Sequence, residues 1–171
     1  VLRGDSRDTT TLFFDSSLRE VYGENQVWSW NGGFIWIRPT ETPQPVTTVT
    51  ANALRGAITL EVESTQDIQA GQLIVLSMTD AGTTLAEAMH AGHSVGGDCT
   101  WQNPLRFDWP VRVLSVQSNS ITLAQPLRIP LSTEWAPTVK TAPFLHDVGV
   151  EDLTVQFPAS VEYPGHLKEW G

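Results

Sequence analysis

The clearest pattern of apolar and polar positions lies in Val148–Phe157. Inward-pointing side chains there change parity at Glu151-Asp152, as they do where a chain turns from one sheet face onto an adjoining one. The pattern predicts two short strands with a corner between them, which is typical of a parallel coil whose turns stack on one another. The two apolar sets are Val148 and Val150, then Leu153, Val155 and Phe157.

Similar short elements are predicted near the start of the chain. Thr9–Phe14 is rich in β-branched and aromatic residues, and Leu12 and Phe14 share one face of the predicted strand. Asp15–Tyr22 begins with capping residues and is followed by Gly23, which predicts a short helix. Phe34–Ile37 follows an Asn-Gly-Gly turn and is predicted to be a strand that is apolar on both faces.

A different pattern begins after the prolines at positions 39, 43 and 45, which exclude a helix and a central strand. Residues 47–129 are predicted to form a separate small β unit. Met78–Asp108 is a long, polar excursion within it, with a short helix predicted at Leu85–His90. The strands are predicted around Ile58, Leu60 and Val62, in Leu73–Leu76, in Val111–Val116 and, after a turn at Gln117–Ser120, in Ile121–Leu123.

Composition and charge narrow both the fold class and the class of partner. The chain has 171 residues, 40% of them hydrophobic and 17% charged, with 13 Gly and 11 Pro, which favours short strands over long helices. A net charge of -9 argues against nucleic acid as a partner. No apolar run is long enough to span a membrane, and the single cysteine, Cys99, excludes a disulfide within the chain.

Three groups of residues carry a family resemblance, and together they resemble successive coils, or rungs, of the pectate-lyase-like (pectin-lyase-fold) superfamily. The chain is similar to the branch whose right-handed parallel β-helix is interrupted by a β insertion. The groups are Val1-Leu-Arg-Gly-Asp with Thr11-Leu-Phe-Phe14, Trp28-Ser-Trp with Gly33-Phe-Ile-Trp-Ile37, and Val148–Val155 with Tyr163-Pro-Gly-His-Leu-Lys168.

The resemblance implies an all-β chain with β-helix rungs in residues 1–45 and 141–171. Between them, residues 46–140 would form an inserted, β-barrel-like module with a long loop. We expect the chain to be an interior fragment, because the sequence shows no capping segment at either end and an uncapped coil exposes its terminal rungs.

The resemblance also implies an extracellular or cell-surface protein whose partner is a polysaccharide or glycoprotein. One interpretation is a polysaccharide lyase, or a glycoside hydrolase, acting on acidic glycans. The alternative is a non-catalytic structural or adhesive surface protein, which could assemble with other copies or subunits, and a phage-type adhesin is a third interpretation. The sequence leaves open which applies, and no catalytic motif of a named enzyme matches residue by residue.

The candidate catalytic residues are His166, Lys168 and Glu169. A lyase needs a base to remove the proton α to a uronate carboxyl and a cation to neutralise that carboxyl, and His or Lys can serve. An exposed turn between rungs is the alternative explanation of this cluster.

Tryptophans are the candidate substrate-binding residues. Trp28, Trp101 and Trp109 are predicted to contact sugar rings, with core packing as the alternative for each. Trp28 would belong to an aromatic row on one face with Trp30, Phe34 and Trp36.

No metal site is predicted with certainty. His146-Asp147 beside Glu151-Asp152 could form an acid/base pair or supply oxygen ligands for Ca2+, whereas the sequence favours solvation of the corner as the role of these residues. His90-x-x-His93 with Asp98-Cys99 has the residue types of a zinc site but lacks a second paired half.

Overall fold

The structure, a computed structural model, describes residues 1–22, 33–93 and 104–158. The chain divides into two compact units, one of Val1–Thr40 with Leu145–Gly171 and one of Glu41–Phe144. The helices are α1 (Leu18–Tyr22) and α2 (Thr84–Met89), and Thr133–Trp135 forms a 3-10 turn. The strands are β1 (Leu2–Arg3), β2 (Thr11–Phe13), β3 (Pro45–Thr48), β4 (Thr59–Glu61), β5 (Leu73–Asp80), β6 (Leu105–Gln117), β7 (Ser120–Leu123), β8 (Thr138–Thr141), β9 (Val150–Glu151) and β10 (Thr154–Gln156).

The first unit is built from two short parallel ladders. Strand β1 pairs with β9, in the register Leu2 opposite Val150, and β2 pairs with β10, in the register Leu12 opposite Val155. Each ladder therefore joins residues near the start of the chain to residues near position 150. Asp152, between β9 and β10, has a φ of 54°, so the predicted corner is confirmed.

Two expectations for this unit are wrong. Phe34–Ile37 is not a strand, because an apolar run becomes a strand only when another strand takes up its backbone hydrogen bonds, and none in the described chain does so. The predicted inward-facing set is also only partly buried. Leu153 is half-buried, whereas Val155 is 41% and Phe157 51% exposed.

The second unit is a curled antiparallel sheet of six strands in the order β3-β8-β5-β6-β7-β4. The two ends of the sheet meet at an antiparallel bridge between Val49 and Val62. There Thr50 N–H donates to the Glu61 carbonyl at 2.9 Å, and Glu63 N–H donates to the Thr48 carbonyl at 2.9 Å. Curling lets one face of the sheet enclose a core without a second sheet.

That core follows the alternation expected of strands with one buried face. Ile74, Leu76 and Met78 of β5 are at most 1% exposed, and Val139 of β8 is fully buried. In β6, the buried positions are Leu105, Trp109, Val111 and Val113.

The predicted elements of this unit are mostly present but differ in extent. β5 continues to Asp80 and β6 begins at Leu105, so the polar excursion between them is shorter than predicted. Leu60 and Val62 are buried as their alternation predicts, whereas Ile58 is 47% exposed because β4 begins after it. No helix in the described parts of the chain is long and apolar enough to cross a membrane.

The structure does not show a complete parallel β-helix. Within the described residues, parallel pairing is confined to the two ladders of the first unit, and the larger sheet is antiparallel. The chain is therefore predominantly β, and the continuation of the ladders into a β-helix stays a prediction.

Candidate functional site

Three phenylalanine rings cluster in the first unit. Phe14 N–H donates to the Gln156 carbonyl at 3.0 Å, which continues the β2–β10 ladder by one residue and places Phe14 beside Phe157. Their ring centroids are 5.8 Å apart. Phe34 stacks on Phe14 with a centroid distance of 4.5 Å and lies 5.7 Å from Phe157. Parallel pairing thus joins residues far apart in sequence into one aromatic surface.

The start of helix α1 lies beside these rings and supplies polar groups. Ser17 N–H donates to the Glu20 carboxylate at 2.6 Å, and Glu20 N–H donates to the Ser17 hydroxyl at 3.2 Å. This reciprocal pair is a capping box, which satisfies donors that a helix start otherwise leaves free. The backbone and then the side-chain hydrogen bond of Ser17 lower the pKa of Glu20. Glu20 is therefore anionic at neutral pH.

The rings and the helix start enclose a cleft, which we call the aromatic cleft. Its volume of about 350 Å³ is within the range of small-ligand sites. Phe157 is 51% exposed, so part of the aromatic surface is accessible to a ligand. The lining residues are Phe14, Asp15, Ser16, Ser17, Glu20, Phe34, Phe157 and Pro158.

This combination of groups suits a polyhydroxylated ring. An aromatic face packs against the C–H face of such a ring, while carboxylates and serine hydroxyls accept hydrogen bonds from its O–H groups. Asp15 and Glu20 are both acidic, and none of the described residues that line the cleft is a cation. The cleft therefore favours an uncharged sugar ring over one that carries a carboxylate.

Most of the predicted site residues cannot be compared with this cleft. His166, Lys168, Glu169, Trp28 and Trp101 lie outside the described residues. Their predicted roles stay predictions.

Trp109 is described, and it lies in β6 with its side chain facing the core. It is 5% exposed, and the guanidinium carbon of Arg128 is 5.8 Å from its ring centroid. This burial favours the packing alternative over contact with a sugar.

The predicted aromatic row is divided. Phe34 belongs to the aromatic cleft, while Trp36 is 52% exposed and contacts Arg38, whose guanidinium carbon is 4.2 Å from the ring centroid. The row depended on a strand at Phe34–Ile37, which does not form. The sequence pattern marked Phe14 and Phe157 as inward-facing, but it contained no signal that they meet.

The acidic residues at the corner have a basic partner. Arg3 Nη2 lies 2.6 Å from Glu151 Oε1, and Arg3 Nε lies 3.7 Å from Asp152 Oδ2. The register of β1 with β9 produces this contact, because Arg3 is opposite Glu151. Residues 1–22, 33–93 and 104–158 contain no group of three or more acidic, His or Cys side chains arranged to hold a metal ion.

Comparison with known proteins identifies similar folds but no family. No protein-family model matches the sequence, and no curated protein sequence matches it. The solved structures similar to this chain include the tailspike gp61 of Pseudomonas phage phi297, with 16% identity and a TM-score of 0.50 over 81% of this chain.

Two further tailspikes are similar at lower scores. The Gp54 tailspike of Acinetobacter baumannii bacteriophage AP22, solved in complex with A. baumannii capsular saccharide, has 15% identity and a TM-score of 0.44 over 68% of this chain. The tailspike gp49 of Pseudomonas phage LKA1 has 16% identity and a TM-score of 0.42 over 68%. The matched regions cover 16% to 18% of the tailspike chains. At these identities the similarity to the phi297 tailspike concerns the fold.

Proposed function

We propose that this protein is part of a tailspike-like, extracellular adhesin that binds a surface polysaccharide. The observation that carries the proposal is the similarity in fold to the phi297 tailspike over 81% of the chain. A fold alone does not determine function, so the proposal also depends on a site with suitable chemistry.

The parallel ladders support the architectural part of the proposal. They join residues 2–3 to 150–151 and residues 11–13 to 154–156, so the chain returns to its starting strands after an excursion of more than a hundred residues. In a β-helix, each rung pairs in parallel with the next in this manner. We propose that the first unit contributes rungs to such a helix and that the second unit is its insertion.

The aromatic cleft supports the binding part of the proposal. Its rings, hydroxyls and carboxylates are the groups with which proteins hold sugar rings, and its volume is adequate for one. Cleavage of the glycan by a lyase mechanism is a separate proposal, which depends on His166, Lys168 and Glu169.

Glycan binding can be tested with the Phe157→Ala variant. The protein would be titrated against a panel of bacterial capsular and surface polysaccharides by isothermal calorimetry. Loss of one ring from the cleft is expected to weaken binding by about 1 kcal/mol, roughly fivefold. Phe13→Ala is the matched control, because Phe13 is 56% exposed in the neighbouring strand β2, opposite Gln156, and does not line the cleft.

Two results would contradict the proposal in different ways. Absence of binding across the whole panel would reject the adhesin function. Binding that Phe157→Ala and Phe13→Ala weaken equally would reject the aromatic cleft as its site. Ultraviolet absorbance of unsaturated products, followed with and without Ca2+ in the same samples, tests the lyase activity.

A further inference from the structure

The outer face of the sheet in the second unit carries a group of basic side chains. In β6, buried residues alternate with Arg106, Asp108, Pro110 and Arg112, which therefore lie on the face opposite the core. Their partners across the antiparallel pair with β5 share that face. Lys140 of β8 belongs to it too, because it is opposite Val75 in β5. We call this surface the basic face and define it by Arg106, Arg112 and Lys140.

Lys140 is held in place by a buried hydroxyl. Its Nζ donates to Ser77 Oγ at 2.9 Å, and Ser77 is 2% exposed. Ser77 lies in β5 between Thr138 of β8 and Asp108 of β6, so this hydrogen bond places the Lys140 ammonium over β5. A flexible lysine fixed in this way loses less entropy when it contacts a ligand.

The ammonium retains capacity for a further partner. It has three N–H donors, of which Ser77 uses one. Within the described part of the chain, Lys140 has no carboxylate within ion-pair distance. An anionic group placed over β5 would therefore meet a positioned cation.

The two arginines extend the positive charge along β6. The Nε of Arg106 is 4.0 Å from Asp108 Oδ2, with side-chain exposures of 63% and 44%, so this ion pair is long and solvated. Such exposed ion pairs contribute little to stability, so Arg106 can exchange Asp108 for another anion. Arg112 is exposed and donates to the Gly71 carbonyl through Nη1. Asp108 lies between the two arginines on β6, and Arg106 offsets part of its charge.

The geometry points to a binding surface for the carboxylate groups of an acidic polysaccharide. We propose that Lys140 contacts one carboxylate as a point charge, while the planar guanidinium of Arg106 or Arg112 holds another with two hydrogen bonds. Arg106 and Arg112 are six residues apart on β6, a separation of roughly 20 Å, and Lys140 lies two strands from β6, roughly 10 Å away, so the three cations can contact separate charges along one extended glycan. The inference rests on the proposed glycan binding and specifies the class of glycan.

A polysaccharide suits this face better than a nucleic acid. The chain as a whole carries a net charge of -9, so the dense phosphate backbone of a nucleic acid would be repelled outside this surface. A glycan with carboxylates spaced along the chain needs only local cations.

The test compares Lys140→Gln with the unmodified protein, using polygalacturonate as the probe and dextran as the uncharged reference. Affinity electrophoresis at several salt concentrations measures the dissociation constant. Loss of one charge-assisted hydrogen bond is expected to weaken polygalacturonate binding about tenfold. Raising the salt concentration is expected to weaken binding by the unmodified protein more than by the variant.

Arg55→Gln is the matched control, because Arg55 is an exposed arginine of the same unit in the loop before β4. It removes one positive charge away from the basic face and is expected to leave binding within twofold of the unmodified protein. Arg106→Gln provides a second test if Lys140→Gln disturbs folding, since the Arg106 side chain is 63% exposed.

Three outcomes overturn the inference. Equal losses in Lys140→Gln and Arg55→Gln would show an effect of net charge rather than of this face. Binding of duplex DNA as tight as that of polygalacturonate, with the same dependence on Lys140, would show a general polyanion site. Binding of capsular glycans without any binding of polygalacturonate would reject the basic face while leaving the proposed function intact.

Discussion

Gly4 lies where two segments of the first unit approach closely. Its N–H donates to the Glu151 carbonyl at 3.0 Å, directly after β1. A Cβ atom at this position would collide with the Asp152 carbonyl oxygen and would lie 2.7 Å from the Thr10 Cβ. Because one of these neighbours is backbone, a side chain here would displace the corner between β9 and β10.

We therefore expect Gly4→Ala to destabilise the first unit by about 1–3 kcal/mol, the usual cost of forcing extra atoms into a packed site. Limited proteolysis at the β9–β10 corner would measure the change as faster cleavage. Gly33→Ala is the control, because a Cβ at Gly33 would meet no atom of the described residues within 4 Å. Equal cleavage rates for both variants would contradict the close approach at Gly4.

At the scale of elements, the start of helix α2 is capped by a residue of the preceding strand. Asp80, the last residue of β5, accepts hydrogen bonds from Leu85 N–H at 3.0 Å, Gly82 N–H at 2.7 Å and the Thr84 hydroxyl at 3.0 Å. The residue at the N-cap position, Thr83, makes no side-chain cap hydrogen bond. Asp80 therefore replaces it, and the carboxylate links the end of a strand to the start of a helix.

These hydrogen bonds make the stability of the turn depend on pH. The Leu85 and then the Gly82 backbone donors lower the pKa of Asp80. A lowered pKa in the folded state means that the stabilisation is fully present above the unfolded-state pKa, about 3.9, and is lost as the pH falls through the folded value. We expect Asp80→Asn to be roughly 1 kcal/mol less stable than the unmodified protein at pH 6.

That difference is expected to shrink as the pH falls below about 4, because the Asp80 carboxylate of the unfolded chain becomes protonated there, while the folded carboxylate, with its lowered pKa, stays ionised to lower pH. Urea unfolding of both proteins at several pH values measures it. Asp67→Asn, a change at an exposed acidic residue before β5, serves as the control. A difference between Asp80→Asn and the unmodified protein that stays constant down to pH 3 would show that the ionised carboxylate is not the stabilising group.

At the scale of the whole molecule, the two ends of the second unit lie side by side. Its first and last strands, β3 and β8, are antiparallel neighbours, so the chain enters and leaves at the same place. Thr141 N–H donates to the Gln44 carbonyl at 2.8 Å, and Gln44 N–H donates to the Thr141 hydroxyl at 3.0 Å. A domain with adjacent ends can interrupt another structure with little disturbance.

We expect Glu41–Phe144, produced alone, to fold because every described residue of its hydrophobic core lies within this range. Urea denaturation followed by tryptophan fluorescence should show one cooperative transition with a slope of about 1–2 kcal/mol/M. Leu76→Ala in the excised unit should lower its stability by about 2–5 kcal/mol, since Leu76 is fully buried. A gradual loss of signal without a transition would show that the unit depends on the rest of the chain.

The sequence by itself determined the local features of this protein. Short apolar runs bounded by turn residues located β5, β6 and β7. Alternation located β4, and the parity change at Glu151-Asp152 located the corner, because side-chain direction in a strand repeats every two residues. Only the tertiary structure decided which segments meet: the alignment of Phe14 with Phe157, the Ser77–Lys140 contact and the antiparallel order of the larger sheet. Local periodicity does not specify which distant segments pair. That pairing depends on the free energy of loop closure and on the packing of all strands together. Residues near position 14 and position 157 could therefore be assigned to strands from sequence, but not to one cleft.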